Sequence, residues 1–476
     1  MGNEWDAIVV GAGPNGLTAA AVLARAGRSV LVVESDDTIG GGTRTDEAFG
    51  TGILRDVCAA VHPTGAASPA FAELEVGRRV DWVVPEVSFA HVFAADDTLG
   101  VFRDPVRRAG ALGRDAEAWR RTVALGADER TVAAAADVLR MPGVPAHPAV
   151  MARFGPAALA PLDAFTTAAF RDERVRTAFA AVAAHAGRPT GSLASTAPGL
   201  LLGMLAGNGW PVAGGGSQAI AEALAGIVVE NGGRIETGCR IDAFVQLPAA
   251  EQVLFDVSPR ALLGIMGERL PRRYARRLER FRYGVGVCKA DFLLREPIPW
   301  GGPGADVLAK TATFHLARDR AQIRSAEAAV ARGALPARPW VLGGEPTRID
   351  PTRVPAGVHL AWAYCHVPAG CAIDVSEAII TEIERCAPGF RDVIVDRIVT
   401  TAAGFEDHNP NYVGGDINCG AADLRQLLAR PVLSRRPHAT PVPGVYLCSS
   451  ATAPGGGVHG MCGWRAAKAA LSDLGG

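Results

Sequence analysis

The chain has 476 residues, and its 48 lysines and arginines against 49 aspartates and glutamates give a formal net charge of −1. This balance argues against a nucleic-acid partner and against a polyanionic substrate. On length alone, about three domains would be expected.

A dinucleotide-binding pattern lies near the start of the sequence. Ile8–Val10 reads as a short buried strand, and Leu17–Ala26 reads as an Ala-rich helix. The residues between them form a GxGxxG motif: Gly11, Ala12, Gly13, Pro14, Asn15 and Gly16. Such glycines permit a tight turn, close approach of the backbone to a pyrophosphate and close packing of helix on strand. We therefore predict that Gly11, Gly13, Pro14, Asn15 and Gly16 bind a dinucleotide.

An acidic residue completes this pattern. Ser29–Val33 reads as a second apolar strand, and Glu34 and Ser35 follow it. A carboxylate at this position takes the hydroxyls of the cofactor ribose. An ordinary strand–helix–strand unit with glycine turns would not explain Glu34, so Glu34 and Ser35 join the predicted site.

A second glycine cluster indicates which dinucleotide binds. Gly40, Gly41, Gly42, Thr43, Arg44 and Thr45 come directly after the second strand, where a nicotinamide-binding domain would normally continue into a helix. The cluster suits a larger cofactor that needs another backbone contact and a cation. Here the sequence resembles the FAD-dependent phytoene desaturase and flavin amine oxidase superfamily. The resemblance implies FAD as cofactor and assigns Gly41, Gly42, Thr43 and Arg44 to its site.

The C-terminal part carries a third element of the same family. Val445–Cys448 reads as a strand, and a glycine-rich turn and a helix from about Cys462 follow it. The turn is similar to the last FAD-binding element of phytoene desaturases, and the match is closest to the phytoene-dehydrogenase-like branch. The resemblance assigns these residues to the cofactor: Ser450, Gly456, Gly457, Val458 and His459. It also places Ile241 beside the adenine.

The resemblance implies the fold class and the domain plan. The expected fold is α/β, with a Rossmann-like FAD-binding domain (parallel sheet, ββα type) interleaved with a substrate domain made of a mixed sheet and helices. The expected FAD-binding segments are 1–75, 205–265 and 435–476. The expected substrate-domain segments are 76–204 and 266–434, with a helical insertion at about 105–200.

Three residues are candidates for catalysis: Lys289, His459 and His62. Lys289 lies in the middle of an apolar strand, where an ammonium is costly without a partner or a task. In flavin amine oxidases a lysine on a similar strand binds flavin N5 through water. The alternative is that Lys289 pairs with Asp291 on the same strand face. His62 either approaches the flavin or substrate or makes a structural hydrogen bond in a turn.

The remaining patterns bear on redox chemistry and location. The nine cysteines include no CxxC pair, which argues against a redox disulfide and against a zinc site, so no metal is predicted. A strand close to Met1 leaves no room for a signal or transit peptide, and no apolar run reaches the roughly 18 residues of a membrane span. We therefore expect a cytoplasmic protein that binds a small molecule. Peripheral membrane contact through Leu200–Leu205 and a homodimer stay open.

The predicted function is an FAD-dependent oxidoreductase of the desaturase or dehydrogenase type. It would remove hydride from a C–H bond of an apolar small molecule and pass electrons to dioxygen, a quinone or another acceptor. A second GxGxxG spacing, at Gly455, Gly457 and Gly460, lies in the element that the resemblance assigns to FAD, so no separate NAD(P)H domain is expected. The alternatives are a flavin amine oxidase, a redox-neutral FAD-dependent isomerase and a non-catalytic, FAD-stabilised binding protein.

Overall fold

Strands and helices alternate along the chain in the computed structural model, which describes residues 4–124, 128–141 and 143–475. The strands, in chain order, are β1 (Trp5–Val10), β2 (Val30–Val33), β3 (Thr45–Asp46), β4 (Arg55–Asp56), β5 (Trp82–Val83), β6 (Val87–Ala94), β7 (Asp97–Phe102), β8 (Val212–Ala213), β9 (Arg234–Glu236), β10 (Ala250–Phe255), β11 (Gly286–Leu294), β12 (Phe314–Leu316), β13 (Val341–Gly344), β14 (His359–Val367), β15 (Ile394–Thr400) and β16 (Val445–Leu447).

The α-helices surround these strands. In chain order they are α1 (Pro14–Arg25), α2 (Pro63–Ala66), α3 (Pro69–Glu73), α4 (Pro105–Leu112), α5 (Ala116–Thr122), α6 (Asp128–Leu139), α7 (Pro148–Leu159), α8 (Leu162–Ala169), α9 (Glu173–Ala183), α10 (Ala197–Met204), α11 (Gln218–Glu230), α12 (Pro259–Met266), α13 (Arg272–Leu278), α14 (Gly304–Leu308), α15 (Arg320–Ala331), α16 (Pro346–Ile349), α17 (Ser376–Cys386), α18 (Phe390–Val393), α19 (Ala402–His408), α20 (Leu424–Leu428) and α21 (Met461–Asp473).

The first sheet has five parallel strands in the order β16-β10-β1-β2-β9. Its central strands are apolar throughout their inner length because both faces are covered, as is usual in parallel sheets. Helices α1, α11 and α21 pack on one face, and α12 and α13 pack on the other. The carboxyl ends of β1, β2 and β10 therefore meet at one edge, where Gly11, Glu34 and Asp256 follow.

Helix α21 lies directly against α1, and a glycine permits this approach. A Cβ atom at Gly463 would collide with the Asn15 carbonyl oxygen at 1.8 Å. The C-terminal helix is thereby locked onto the first dinucleotide-binding helix, although the two are far apart in sequence.

The second sheet has seven strands in the order β15-β11-β14-β13-β12-β6-β7. Its pairs are antiparallel except for the parallel pair β12–β6, so the sheet is mixed. Helices between β7 and β8 cover one face through a core that includes Trp119, Phe179 and Trp210. Helices α17 and α18 cover the opposite face.

The predicted fold class is confirmed: an α/β protein with a parallel Rossmann-like sheet and a second, mixed sheet. The helices α4–α10 occupy the stretch in which a helical insertion was expected, while the limits of the two domains stay a prediction. None of the helices in the described part of the chain is both long and apolar enough to cross a membrane.

Candidate functional site

One large cavity, of about 1050 Å³, extends from the edge of the parallel sheet to the helices of the α4–α10 region. Its first half, which we call the glycine-turn half, is lined by the turns after β1, β2 and β16. Its second half, the helical half, is lined by α6, α7 and α10 and by the mixed sheet. The cavity therefore joins the predicted dinucleotide site to a space that could hold a substrate.

Most of the predicted cofactor residues line this cavity. They are Gly11, Gly13, Pro14, Asn15, Glu34, Ser35, Gly41, Gly42, Arg44, Ile241, Ser450, Gly456, Gly457, Val458 and His459. Two predicted residues lie just behind its wall. The Gly16 N–H donates to the Asp256 carboxylate, and the Thr43 hydroxyl donates to the Gly40 carbonyl oxygen.

The glycine turns can pack this closely around the cavity only because glycine has no side chain. A Cβ atom at Gly13 would lie 2.8 Å from Asp256 Oδ2, and one at Gly41 would lie 3.2 Å from the Gly13 Cα. Two turns from different segments thus pack backbone to backbone beside the N-terminus of α1. Backbone N–H groups at a helix N-terminus are suited to a diphosphate, so the residues present fit a dinucleotide such as FAD.

Glu34 lies where the acidic residue that binds the cofactor ribose is expected. Its Oε2 accepts from the Ala12 N–H at 2.7 Å, and its Oε1 accepts from the Asp36 N–H at 3.0 Å. Arg44 approaches Glu34 Oε1 at 3.5 Å and pairs with Asp36 at 2.7 Å. The positive charge of Arg44 is therefore directed at the two acids that follow β2.

The reading of the sequence overlooked Asp256, which directly follows β10. Its Oδ2 accepts from the Gly16 N–H at 2.8 Å, at the first turn of α1. The pKa of Asp256 is raised to about 7, chiefly by desolvation and also by the charge of Glu34, while the Gly16 hydrogen bond acts in the opposite direction. A carboxyl group is thus held at the anion-binding end of a helix. An acid at the carboxyl end of a buried strand is the signal that could have indicated it.

Arg430 is a second residue that was overlooked. Its buried guanidinium lines the cavity, and a Cβ atom at Gly455 would lie 3.5 Å from its Cζ. It donates to the carbonyl oxygens of Ser450 at 2.9 Å and Cys419 at 3.2 Å. Within residues 4–124, 128–141 and 143–475, no ion pair involves this guanidinium, and burial lowers its pKa. A cation without a paired acid beside the last glycine turn suits a diphosphate, and no local sequence pattern marks it.

Asn15 is a polar side chain at this end with an unpaired acceptor. Asn15 Nδ2 donates to Ser450 Oγ at 3.2 Å, while the buried Asn15 Oδ1 has no hydrogen-bond partner among the described residues. Such an orphaned acceptor on the cavity wall is consistent with a ligand that supplies a donor.

The two candidate histidines occupy different positions. His459 lines the cavity, and its Nδ1 accepts from the Met461 N–H at 3.1 Å, which fixes the start of α21. His62 is buried outside the cavity wall, and its Nε2 lies 2.8 Å from Ser217 Oγ. Burial lowers the pKa of each to about 4, so both are uncharged near neutral pH. The bond to Ser217 is a structural hydrogen bond, which was the alternative considered for His62 in the sequence.

Lys289 is buried and does not line the cavity. Its Nζ donates to Asp291 Oδ1 at 2.6 Å and to the Asp56 carbonyl oxygen at 2.7 Å. Asp291 Oδ2 also accepts from Arg55 Nη1 at 2.8 Å. The pairing with Asp291 is thus present, and the proposed role at the flavin stays a hypothesis.

The helical half of the cavity is apolar. Its helical wall consists of Val138, Leu139, Met151, Phe154, Ala158, Leu159, Leu201 and Leu202. From the mixed sheet come Leu342, Trp362 and Tyr364, and the Trp362 and Tyr364 rings stack at 6.2 Å with an angle of 15°. The Leu200–Leu205 stretch, considered above for membrane contact, contributes to this wall through Leu201 and Leu202.

Comparisons with known proteins agree with this geometry. Residues 9–74 match a family model described as an NAD(P)-binding Rossmann-like domain. Pyridine nucleotide-disulfide oxidoreductase domain-containing protein 2 of Rattus norvegicus is 34% identical to this chain over 157 residues. That match covers 30% of this chain and 27% of the rat protein, so the chain matches about a quarter of its relative's length.

Solved structures resemble the chain over almost its whole length. An oxidoreductase from Methanosarcina mazei has a TM-score of 0.64 at 17% identity, covering 98% of this chain and 99% of that protein. Putrescine oxidase bound to putrescine has a TM-score of 0.62 at 17% identity, covering 99% of each chain. At these identities the likeness shows the fold.

The chain thus combines a dinucleotide-binding Rossmann-like domain with the fold of an oxidoreductase and of putrescine oxidase. The expected resemblance to the FAD-dependent amine oxidase superfamily is confirmed at the level of fold. The Rossmann-like domain indicates a dinucleotide cofactor.

Proposed function

We propose that this chain is an FAD-dependent oxidoreductase of the desaturase or dehydrogenase type that removes hydride from a C–H bond of an apolar small molecule. The observation that carries the proposal is the continuity of one cavity, from the glycine turns at Gly13, Gly41 and Gly456 to the apolar helical wall. A substrate in the helical half would lie next to a cofactor held in the glycine-turn half. When bound, FAD supplies a hydride acceptor.

The side chains of this chain would provide binding, orientation and exclusion of water. Glu34 would take the adenosine ribose, and Gly13 and Gly41 would leave space for the diphosphate, with Arg430 as its counter-charge. The apolar residues of α6, α7 and α10 would hold the substrate away from bulk water. The expected domain division, with segments 76–204 and 266–434 building the substrate half, belongs to the same proposal.

A flavin amine oxidase is the second candidate. The stacked pair Trp362 and Tyr364 on the cavity wall favours it, since aromatic faces bind amine cations. The likeness to putrescine oxidase is one of fold and does not choose between the two candidates. The electron acceptor after substrate oxidation would be dioxygen, a quinone or another acceptor in either case.

Cofactor binding is the first test. We expect the purified protein to be yellow, with one FAD per chain and no NAD(P) site of comparable affinity. Gly13→Val should lose FAD because its side chain would collide with Asp256 Oδ2 and enter the diphosphate position. Gly110→Val is the matched control, since a Cβ atom there meets nothing within 4 Å. Normal FAD content in Gly13→Val would refute the assignment.

Turnover is the second test. The FAD-loaded protein is mixed, without oxygen, with polyenes, cyclic alkenes, primary amines and saturated hydrocarbons bearing hydroxyl or ketone groups. Bleaching of the oxidised FAD absorbance by a non-amine substrate would support the desaturase type, and bleaching by amines alone would support the amine oxidase. Isomerised product without bleaching would indicate the isomerase. Binding without bleaching or product would indicate the non-catalytic alternative.

A further inference from the structure

The face of the mixed sheet towards the cavity carries a row of residues that lie side by side across its strands. The register pairs Tyr364 on β14 with Leu342 on β13, Leu342 with His315 on β12, and His315 with His91 on β6. Neighbouring strands are about 4.8 Å apart, so the residues of the row are direct cross-strand neighbours. His315 and His91 are completely buried, with ring centroids 6.4 Å apart. Buried histidines are present directly beneath an otherwise apolar cavity.

One further histidine connects this row to the cavity. His185 follows α9, is half-buried and lines the cavity. Its Nε2 lies 2.8 Å from His315 Nε2. The indole rings of Trp210 and Trp340 flank it, with centroids 6.0 Å and 6.2 Å from the imidazole. We call His185 and His315 the histidine pair.

The short contact determines how many protons the two facing Nε2 atoms of the histidine pair carry. Two Nε2 atoms at 2.8 Å form a hydrogen bond only when one of them carries a proton. Burial lowers the pKa of His185 to about 3 and holds the pKa of His315 well below its usual value. Each imidazole is therefore uncharged at neutral pH. No group of three or more His, Cys, Asp or Glu residues in the described parts of the chain is placed to hold a metal ion.

The second ring nitrogen of His185 has capacity left for a ligand. His185 Nδ1 makes no hydrogen bond to any described residue, whereas His315 is completely buried and does not line the cavity. If the shared proton lies on His315, then His185 Nδ1 carries a hydrogen and donates. If it lies on His185 Nε2, then His185 Nδ1 is a bare acceptor. His185 Nδ1 can thus form a hydrogen bond with a carbonyl or a hydroxyl group.

The surroundings of His185 disfavour ionised ligands. The carboxylates that line the cavity are Glu34, Asp36 and Asp256, all in the glycine-turn half. Neither a lysine nor an arginine lines the helical wall. An ammonium or a carboxylate bound at the helical half would therefore be buried without a counter-charge, which is unfavourable.

We propose that His185, held by its hydrogen bond to His315, binds the hydroxyl or carbonyl group of an elongated, otherwise apolar and uncharged substrate. This inference rests on the proposed function, in which the helical half of the cavity holds the substrate. His185 then acts as a substrate-binding residue, and His315 acts as a positioning residue that sets its orientation and tautomer. The apolar chain of the substrate lies along α6, α7 and α10.

The test uses probes of one chain length on the FAD-loaded protein: 1-decanol, 2-decanone, decane, decylamine and decanoate. Binding is measured by the change in tryptophan fluorescence, to which Trp210 and Trp340 beside His185 respond, and is checked by calorimetry. We expect the alcohol and the ketone to bind roughly three- to tenfold more tightly than decane, the range of one uncharged hydrogen bond. Decylamine and decanoate should bind more weakly than 1-decanol.

Variants separate the hydrogen bond from the shape of the cavity. His185→Leu should remove the preference for 1-decanol over decane, and His185→Gln should restore part of it. His315→Phe should reduce the preference while decane affinity is kept. Leu202→Ala is the control and should weaken both probes by the same factor. Melting curves on all variants exclude unfolding as the cause.

Two outcomes would overturn the inference: decylamine or decanoate binding as tightly as 1-decanol, or an unchanged preference in His185→Leu. Neither depends on turnover. Failure of the proposed function appears instead as absence of FAD reduction, in which case the probes are titrated on the FAD-loaded protein, or as loss of FAD binding, in which case they are titrated on the protein as purified.

Discussion

Asp256 Oδ2 accepts a hydrogen bond from the Gly16 N–H at 2.8 Å, across 240 residues of sequence. The contact lies at the N-terminus of α1, where the partial positive charge of a helix favours an anion. In the proposed complex, an acidic side chain and a cofactor diphosphate would share this end of the helix. Their mutual repulsion makes the ionisation of Asp256 a determinant of cofactor affinity.

We expect FAD affinity to fall as the pH rises above 7. The pKa of Asp256 is raised to about 7, so the group is uncharged below this pH and repels the diphosphate above it. At pH 8 about one tenth of the protein would be protonated, which weakens binding by roughly tenfold. Asp256→Asn should bind FAD with little pH dependence between 6 and 8, as measured by titration of the apoprotein.

The control for this prediction is Asp81→Asn, which removes one exposed carboxylate that does not line the cavity. It should retain the pH dependence of the unaltered protein. An equal loss of affinity with pH in Asp256→Asn would contradict the prediction.

Arg430→Gln should weaken FAD binding more than Arg44→Gln does. The guanidinium of Arg430 donates to carbonyl groups beside the last glycine turn, whereas that of Arg44 is paired with Asp36 at 2.7 Å. A lost hydrogen bond to a charged group costs about 1.5–3 kcal/mol, or roughly ten- to a hundredfold in affinity. Equilibrium titration of each apoprotein measures the difference. A larger loss in Arg44→Gln would instead indicate that Arg44 is the main cation at the diphosphate.

Glu34→Ala should lower FAD affinity by roughly ten- to a hundredfold, because a carboxylate partner of the ribose hydroxyls is lost. Glu34→Asp keeps the charge and shortens the side chain, so we expect an intermediate affinity. Titration of apoprotein with FAD measures both. Unchanged affinity in Glu34→Ala would place the ribose elsewhere in the cavity.

Lys289→Met tests the two readings of the buried lysine. Breaking a buried ion pair costs about 3–5 kcal/mol, and we expect the lower end because Arg55 still contacts Asp291 at 2.8 Å. Denaturant unfolding measures this loss, and Lys289→Met/Asp291→Asn should recover part of it. Slower reduction of bound FAD at unchanged stability would instead support the role near the flavin.

Stability should fall as the pH decreases from 6.5 towards 4. Burial lowers the pKa of His91 to about 4 and of His438 to about 3, so the folded state binds fewer protons than the unfolded chain. Each such group costs up to about 1.4 kcal/mol per pH unit below 6.5. Asp256, whose pKa is raised, acts in the opposite direction between pH 7 and 4 but offsets only part of the loss.

The measurement is a series of melting curves at pH 7.5, 6 and 5. His438→Leu should flatten the decline, since one of the buried imidazoles is then absent. A melting temperature that rises on acidification would show that the carboxyl groups outweigh the histidines.

The parts of the site that were predictable come from contiguous sequence. The strand, glycine turn, helix and acid of residues 5–34 are local, so the pattern of apolar residues and glycines determines them. The turns at Gly41 and Gly456 follow the same logic, with the family resemblance supplying their role. Both turns line the cavity with Gly13.

The remaining parts depend on tertiary contacts that no local pattern encodes. Asp256 reaches Gly16 only because β10 pairs with β1 in the sheet. His185 meets His315 through the packing of α9 on a strand about 130 residues away. Arg430 lies in an irregular segment, and its role follows from carbonyl groups that the fold brings together. For Lys289, alternation within β11 correctly placed Asp291 on the same face, but it could not tell which other groups would surround the ammonium.

The strand order of the parallel sheet also bears on when the site can form during synthesis of the chain. Its strand β16 and the helix α21 that rests on α1 come more than 400 residues after β1. A nascent chain leaves the ribosome with the Gly13 turn exposed long before the Gly456 turn exists. Long-range parallel pairing forms late in folding. In the proposed complex, the complete diphosphate site would therefore form only after the Gly456 turn has been synthesised and β16 has joined the sheet.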